Sequence, residues 1–109
     1  MSTVLPYPDP DVPIDWEIPK FVIEINAQLV RLRTLWPIAS ESLHLLDRQK
    51  YLDRIKAAMR SFRFGSMLYE AEGPVKDVTG FYEISYKLLA WVVYFLEGYI
   101  YAKEAINAV

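Results

Sequence analysis

Few residues in this chain are equipped for chemistry. His44 is the single histidine and there is no cysteine. Thiolate nucleophiles, disulfides and cysteine-bound zinc are therefore excluded. The run Glu41-Ser42-Leu43-His44 has the Glu-x-x-His spacing that holds metal in carboxylate-bridged helical bundles. A complete centre of that kind needs two such runs and two more glutamates. Only a homodimer would supply the second run, with Glu24, Glu83 or Glu97 as the remaining carboxylates. Two fixed positions recur readily by chance. The spacing therefore predicts a partly exposed histidine near a helix start, with no metal and no cofactor.

Nucleophilic catalysis requires a hydroxyl, a base and a group that orients the base. Gly65-Ser66 lacks the flanking residues of a Gly-x-Ser-x-Gly elbow. The glycines at 65, 73, 80 and 98 are too scattered to cradle a phosphate. Glu70 and Glu72, beside Gly73, read as a solvated helix end and not as an acid/base pair. These residues point to a protein that is not an enzyme.

Charge offers a different kind of site. Every arginine lies between residues 31 and 63, whereas the segments on either side are acidic. Lys50, Arg54, Arg60 and Arg63 are expected to form a face that binds a protein partner or an anion. The run Arg60-Ser61-Phe62-Arg63-Phe64 interleaves arginine with aromatics, the footprint of nucleic-acid binders. A net charge of −2 and the intervening Asp47 and Asp53 favour a protein partner over nucleic acid. The acidic residues Asp9, Asp11, Asp15 and Glu17 are expected to lie against Arg54, Arg60 and Arg63 of the same chain or a neighbour and shield them.

A second surface is expected towards the C-terminus. Glu83, Lys87, Ala90, Tyr94, Glu97, Tyr101 and Glu104 recur at helical spacing, with Gly98, Ala102 and Ala105 beside them. Trp91, Tyr94, Glu97, Gly98, Tyr101 and Ala102 are read as a self-association face of a homodimer. Tyrosines supply contact area there, the small residues permit close approach, and Glu97 stays at the rim.

The elements that must position these residues are helices. Pro6, Pro8, Pro10 and Pro13 predict an extended, acidic arm over residues 1–18, with Ile14 and Trp16 packed on the body. A first helix starts near Pro19, buries Val22, Ile25, Leu29, Leu32 and Trp36, and ends or kinks at Pro37. Glu24, Gln28 and Arg31 fall on its polar side. A second helix is capped by Ser40, carries an apolar stripe of Leu45, Leu52, Ile55, Met59 and Phe62, and stops at Gly73-Pro74. Residues 75–79 form a short connection, extended at most briefly, and a third helix starts near Thr79. Its centre, Leu88 to Leu96, is nine apolar residues in succession, which implies burial on every side.

With 109 residues the chain has the length of one domain, residues 19–109 after the arm. Hydrophobic residues make up 53 %, a globular balance, and the 15 % aromatic content supplies large rings for a small core. No apolar run approaches the about 20 residues of a membrane span, and the N-terminus lacks a signal-peptide pattern, so a cytoplasmic protein without membrane contact is expected. The fold class is all-α: three main helices in a compact antiparallel bundle with an extended Pro-rich arm. The function that follows is a small interaction module, such as an inhibitor, an immunity-type protein or an assembly factor. A nucleic-acid-binding regulator and a metal- or ligand-binding helical oligomer are the alternatives.

Overall fold

The computed structural model describes residues 8–107, and residues 1–7 of the arm lie outside that range. The domain is all-α, with α1 at Ile18–Ser40, α2 at Leu45–Glu72 and α3 at Lys76–Asn107. No described helix is long and apolar enough to cross a membrane.

Phe21 meets Tyr86 and Arg31 meets Glu97, so α1 and α3 run parallel. Tyr51 meets Trp91 and Ser61 meets Phe81, so α2 runs antiparallel to both. Both α1 and α2 pack along α3, and they touch each other little. That placement explains how a short chain buries much of the most apolar helix: Leu89, Val92, Val93 and Leu96 are inaccessible because a helix covers each flank. Phe95 stays exposed, so the run from Leu88 to Leu96 is not buried on every side.

The helix ends follow from local chemistry. Pro19 sets the first turn of α1, and the Glu17 carbonyl accepts from the amides of Lys20 and Phe21. Helix α1 does not end at Pro37 but runs through it to Ser40. Proline costs one hydrogen bond there, in the last turn, while buried Leu35 and Ala39 hold that turn against the core. His44, not Ser40, caps α2: its Nδ1 accepts from the Leu46 amide at 3.3 Å. Ser40 instead gives its carbonyl to the Arg48 guanidinium, and the Tyr99 hydroxyl donates to the Ser42 carbonyl at 2.9 Å. The carbonyls at the end of α1 are thus satisfied from α2 and α3.

Helix α2 passes straight through Gly65 and ends at Gly73, whose φ of 80° is readily accessible only to glycine. Helix α3 starts at Lys76, three residues before Thr79, and no extended segment precedes it. Val78 is fully buried and anchors that first turn.

The buried faces are rotated from those that periodicity suggests. On α1 the core residues are Phe21, Ile25, Gln28, Leu32, Leu35 and Ala39, whereas Val22, Leu29 and Trp36 lie at the margin. Gln28 is therefore inside, not on the polar side. On α2 the buried positions are Ala58, Ser61 and Gly65, while Leu45 is exposed. Small residues face α3 there because the two helices approach closely. A Cβ on Gly65 would lie 3.1 Å from the Cβ of Phe81.

Candidate functional site

Close approach at Gly65 dictates what its neighbours do. Phe62 turns inward and meets Tyr82 edge-on at 5.4 Å. The Ser61 hydroxyl donates to the Phe81 carbonyl at 2.7 Å. Phe64, on the other side of the helix, is left more than half exposed, as are Met67 one turn later and Ile84 on α3. Phe64 leans on Phe81 with ring centroids 6.2 Å apart. Together with Leu68 and Ala71 they line an apolar groove along the outer seam of α2 and α3, bordered at one end by Lys76 and Asp77. Periodicity alone assigns Met67 and Leu68 to a continuing buried stripe. The glycine at 65, flanked by Phe64 and Ser66, is the sequence signal that α2 turns its small side to α3 at this level.

Arg60 and Arg63 stand one helical turn before Phe64 and Met67, so each guanidinium stem shares a face with one exposed apolar side chain. Both are exposed, and no ion pair among the described residues engages either one. Lys50 and Arg54 behave differently. The Arg54 guanidinium carbon lies over the Trp91 ring, 3.9 Å from its centroid, and the Lys50 ammonium sits 5.2 Å from the same centroid. The four basic residues therefore do not form one face, because six residues of helix carry Arg60 about 240° around from Arg54. One pair is spent on a tryptophan of the same chain, and the other projects to solvent.

The expected self-association face divides as well. Trp91 is half-buried under Arg54 and against Tyr51 and Phe95, and Tyr94 packs edge-on against Phe95 at 5.3 Å. Burial first, then Asp47 and then Tyr99, push the Tyr51 hydroxyl above its ordinary range. Glu97 is not at a rim: it is only 4 % exposed and forms an ion pair with Arg31 of α1. Its Oε2 has no hydrogen-bond partner among the described residues, which a buried carboxylate tolerates because Oε1 is matched by a full charge. A Cβ on Gly98 would meet no atom of the rest of the fold within 4 Å, and Tyr101 and Ala102 are exposed.

The polar end of the α3 stripe holds the arm. Lys87 donates from Nζ to the carbonyls of Val12 at 2.8 Å and Pro10 at 3.1 Å, and pairs with Glu83 at 3.3 Å. Glu83 in turn accepts from the Ile14 amide. Trp16 packs against Phe21 and Tyr86, with ring centroids 5.2 and 5.0 Å away. Ile14 and Trp16 thus lie on the body as anticipated, but the arm follows α3 and α1. Among the described residues no ion pair joins its acidic side chains to Arg54, Arg60 or Arg63, so the shielding is not formed within one chain. The arm is also not extended throughout, since an Asp9 side chain accepts from the Asp11 amide and a turn closes between Asp9 and Val12.

Glu41 and His44 lie on the connection between α1 and α2, both exposed. Their spacing therefore does not project from one helix face. The described residues contain no group of three or more histidine, aspartate or glutamate side chains placed to hold a metal ion.

No family model, curated protein or solved structure matches this chain.

Proposed function

We propose that this chain is a small, non-enzymatic docking protein whose α2–α3 seam receives an acidic, amphipathic helix of a protein partner. The observation that carries this reading is the apolar groove of Phe64, Met67, Phe81 and Ile84 with the unpaired guanidinium groups of Arg60 and Arg63 beside it. An amphipathic helix lays apolar side chains at positions i, i+4 and i+7 into a groove of this kind. Acidic residues on its flank would meet the arginines, whose long stems also cover apolar surface. Contiguous exposed apolar area is the usual mark of such a site.

The test is a fluorescence-anisotropy titration with two model helical peptides. They share one apolar face and carry either glutamate or lysine on the flanks. The acidic peptide should bind, more weakly as salt rises, and Phe64→Glu should abolish binding without loss of helicity. The double variant Arg60→Glu/Arg63→Glu should reverse the preference between the peptides. Equal binding of both peptides, indifferent to Phe64→Glu, overturns the proposal.

Nucleic acid is the second reading, favoured by one observation: exposed Phe64 offers a ring for base stacking beside two free guanidinium groups. Single-stranded oligonucleotides in the same titration separate the two readings.

A further inference from the structure

We propose that the outer face of α1 is the contact between two copies of this chain, paired antiparallel. The face is a stripe of Ile23, Ala27, Val30, Thr34 and Ile38, spaced by four, three, four and four residues. From Ile23 to Thr34 that is the seam spacing of paired helices, with Ile38 at the edge, and the stripe lies on the side of α1 opposite the core residues Phe21, Ile25, Leu32 and Ala39. Ile23, Val30 and Ile38 are each about 60 % exposed, and Ala27 and Thr34 are exposed with them. Helix α1 thus carries two apolar faces, and the fold covers only one. The free stripe extends over four turns, about 22 Å. Ala27 and the short β-branched side chains of Val30 and Thr34 at its centre let a second helix come close.

The charges beside the stripe select the occupant and its direction. One edge carries Glu24 and Arg31, and the other carries Asn26 and Arg33. On each edge an acceptor precedes a donor by seven residues. In an antiparallel two-fold pair like edges face each other. With Ala27 against Val30 of the second copy, Ile23 meets Thr34 of the second copy. The same register sets Glu24 opposite Arg31 of the second copy and Asn26 opposite Arg33 of the second copy, each contact occurring twice. The surface is therefore complementary to itself, which an isologous interface requires. A parallel pairing would set Glu24 against Pro19 and Arg33 against Ile38 and satisfy neither charge. Arg33 has no ion pair among the described residues, and Arg31 uses its Nε for Glu97 while its side chain stays 44 % exposed. Glu24 meets Lys20 at 3.3 Å through Oε1 with its side chain 28 % exposed, so Arg31 of the second copy would share that carboxylate with an exposed lysine.

The natural absence of cysteine gives a clean experiment on the full chain. Ile23→Cys and Thr34→Cys are prepared separately, then oxidised mildly alone and as a mixture. Antiparallel pairing predicts a disulfide between the two variants in the mixture and none within either alone. Two copies of position 23 would lie about 16 Å apart along the helices, beyond disulfide reach. Sedimentation of the wild type should show a dimer at micromolar concentration. Ala27→Glu should weaken it about tenfold or more with helicity unchanged. Self-cross-linking of Ile23→Cys, a dimer that survives Ala27→Glu, or a monomer up to high micromolar concentration each overturns the proposal.

Discussion

Gly65→Ala and Gly98→Ala make the same chemical change inside a helix and should differ in outcome. Replacing an interior glycine by alanine stabilises a helix by about 1 kcal/mol through backbone entropy. At Gly98 the added methyl meets nothing within 4 Å, so the whole gain should appear. For a domain of this size that corresponds to a rise in Tm of about 4 °C. At Gly65 the methyl would lie 3.1 Å from the Phe81 Cβ and 3.4 Å from a Tyr82 ring carbon. Carbon atoms rest about 3.5–4.0 Å apart, so the contact is compressed. Phe81 Cβ cannot swing away, because it is fixed to a backbone that Ser61 also holds by a hydrogen bond. Overpacking of this kind costs about 1–3 kcal/mol, which offsets or exceeds the propensity gain. The two variants should therefore differ by about 1–3 kcal/mol, with Gly65→Val worse still. Urea unfolding followed by far-ultraviolet circular dichroism measures the difference. If Gly65→Ala stabilises as much as Gly98→Ala, the helices are not in the close contact that turns Phe64 outward.

Arg31→Ala strands the Glu97 carboxylate inside the protein and should cost about 3 kcal/mol, whereas Arg31→Ala/Glu97→Leu should recover most of that loss; denaturant midpoints of the two variants decide, and an equally unstable double variant refutes the account. Burial first, and Glu24 second, raise the Tyr86 hydroxyl above the ordinary phenol value. The unfolded chain then ionises before the folded one, so this stability is complete below about pH 10 and is lost as pH rises through the folded value. Tyr86→Phe should flatten the fall in Tm on the alkaline side, and an unchanged slope counts against the burial of that hydroxyl. Lys87→Met removes the donors to Pro10 and Val12 and should expose residues 8–13 to rapid amide exchange and proteolysis, with a smaller change in global stability. Protection of the arm in that variant would mean that Trp16 alone holds it.

Residue order by itself determined what local chemistry controls. Three helices follow from apolar periodicity, and their limits follow from Pro19 at one start and Gly73-Pro74 at one stop, because φ restriction and a missing amide act within a single turn. Burial of Leu89, Val92, Val93 and Leu96, and the inward packing of Ile14 and Trp16, were legible because so much apolar surface has no stable place in water, but the run from Leu88 to Leu96 is not buried on every side, since Phe95 stays exposed. The rotation of each helix was not. Gln28, Ser61 and Ser85 are buried because α1 and α2 close on α3 where small or slender side chains let them approach, a choice made between helices and not within one. The division of the basic residues has the same origin: Trp91 claims Lys50 and Arg54 from across the interface and leaves Arg60 and Arg63 to solvent. Glu97 reads as a rim residue until Arg31, sixty-six positions away, is brought beside it. Charge pairing across such a separation depends on helix packing, and only the tertiary structure supplies that.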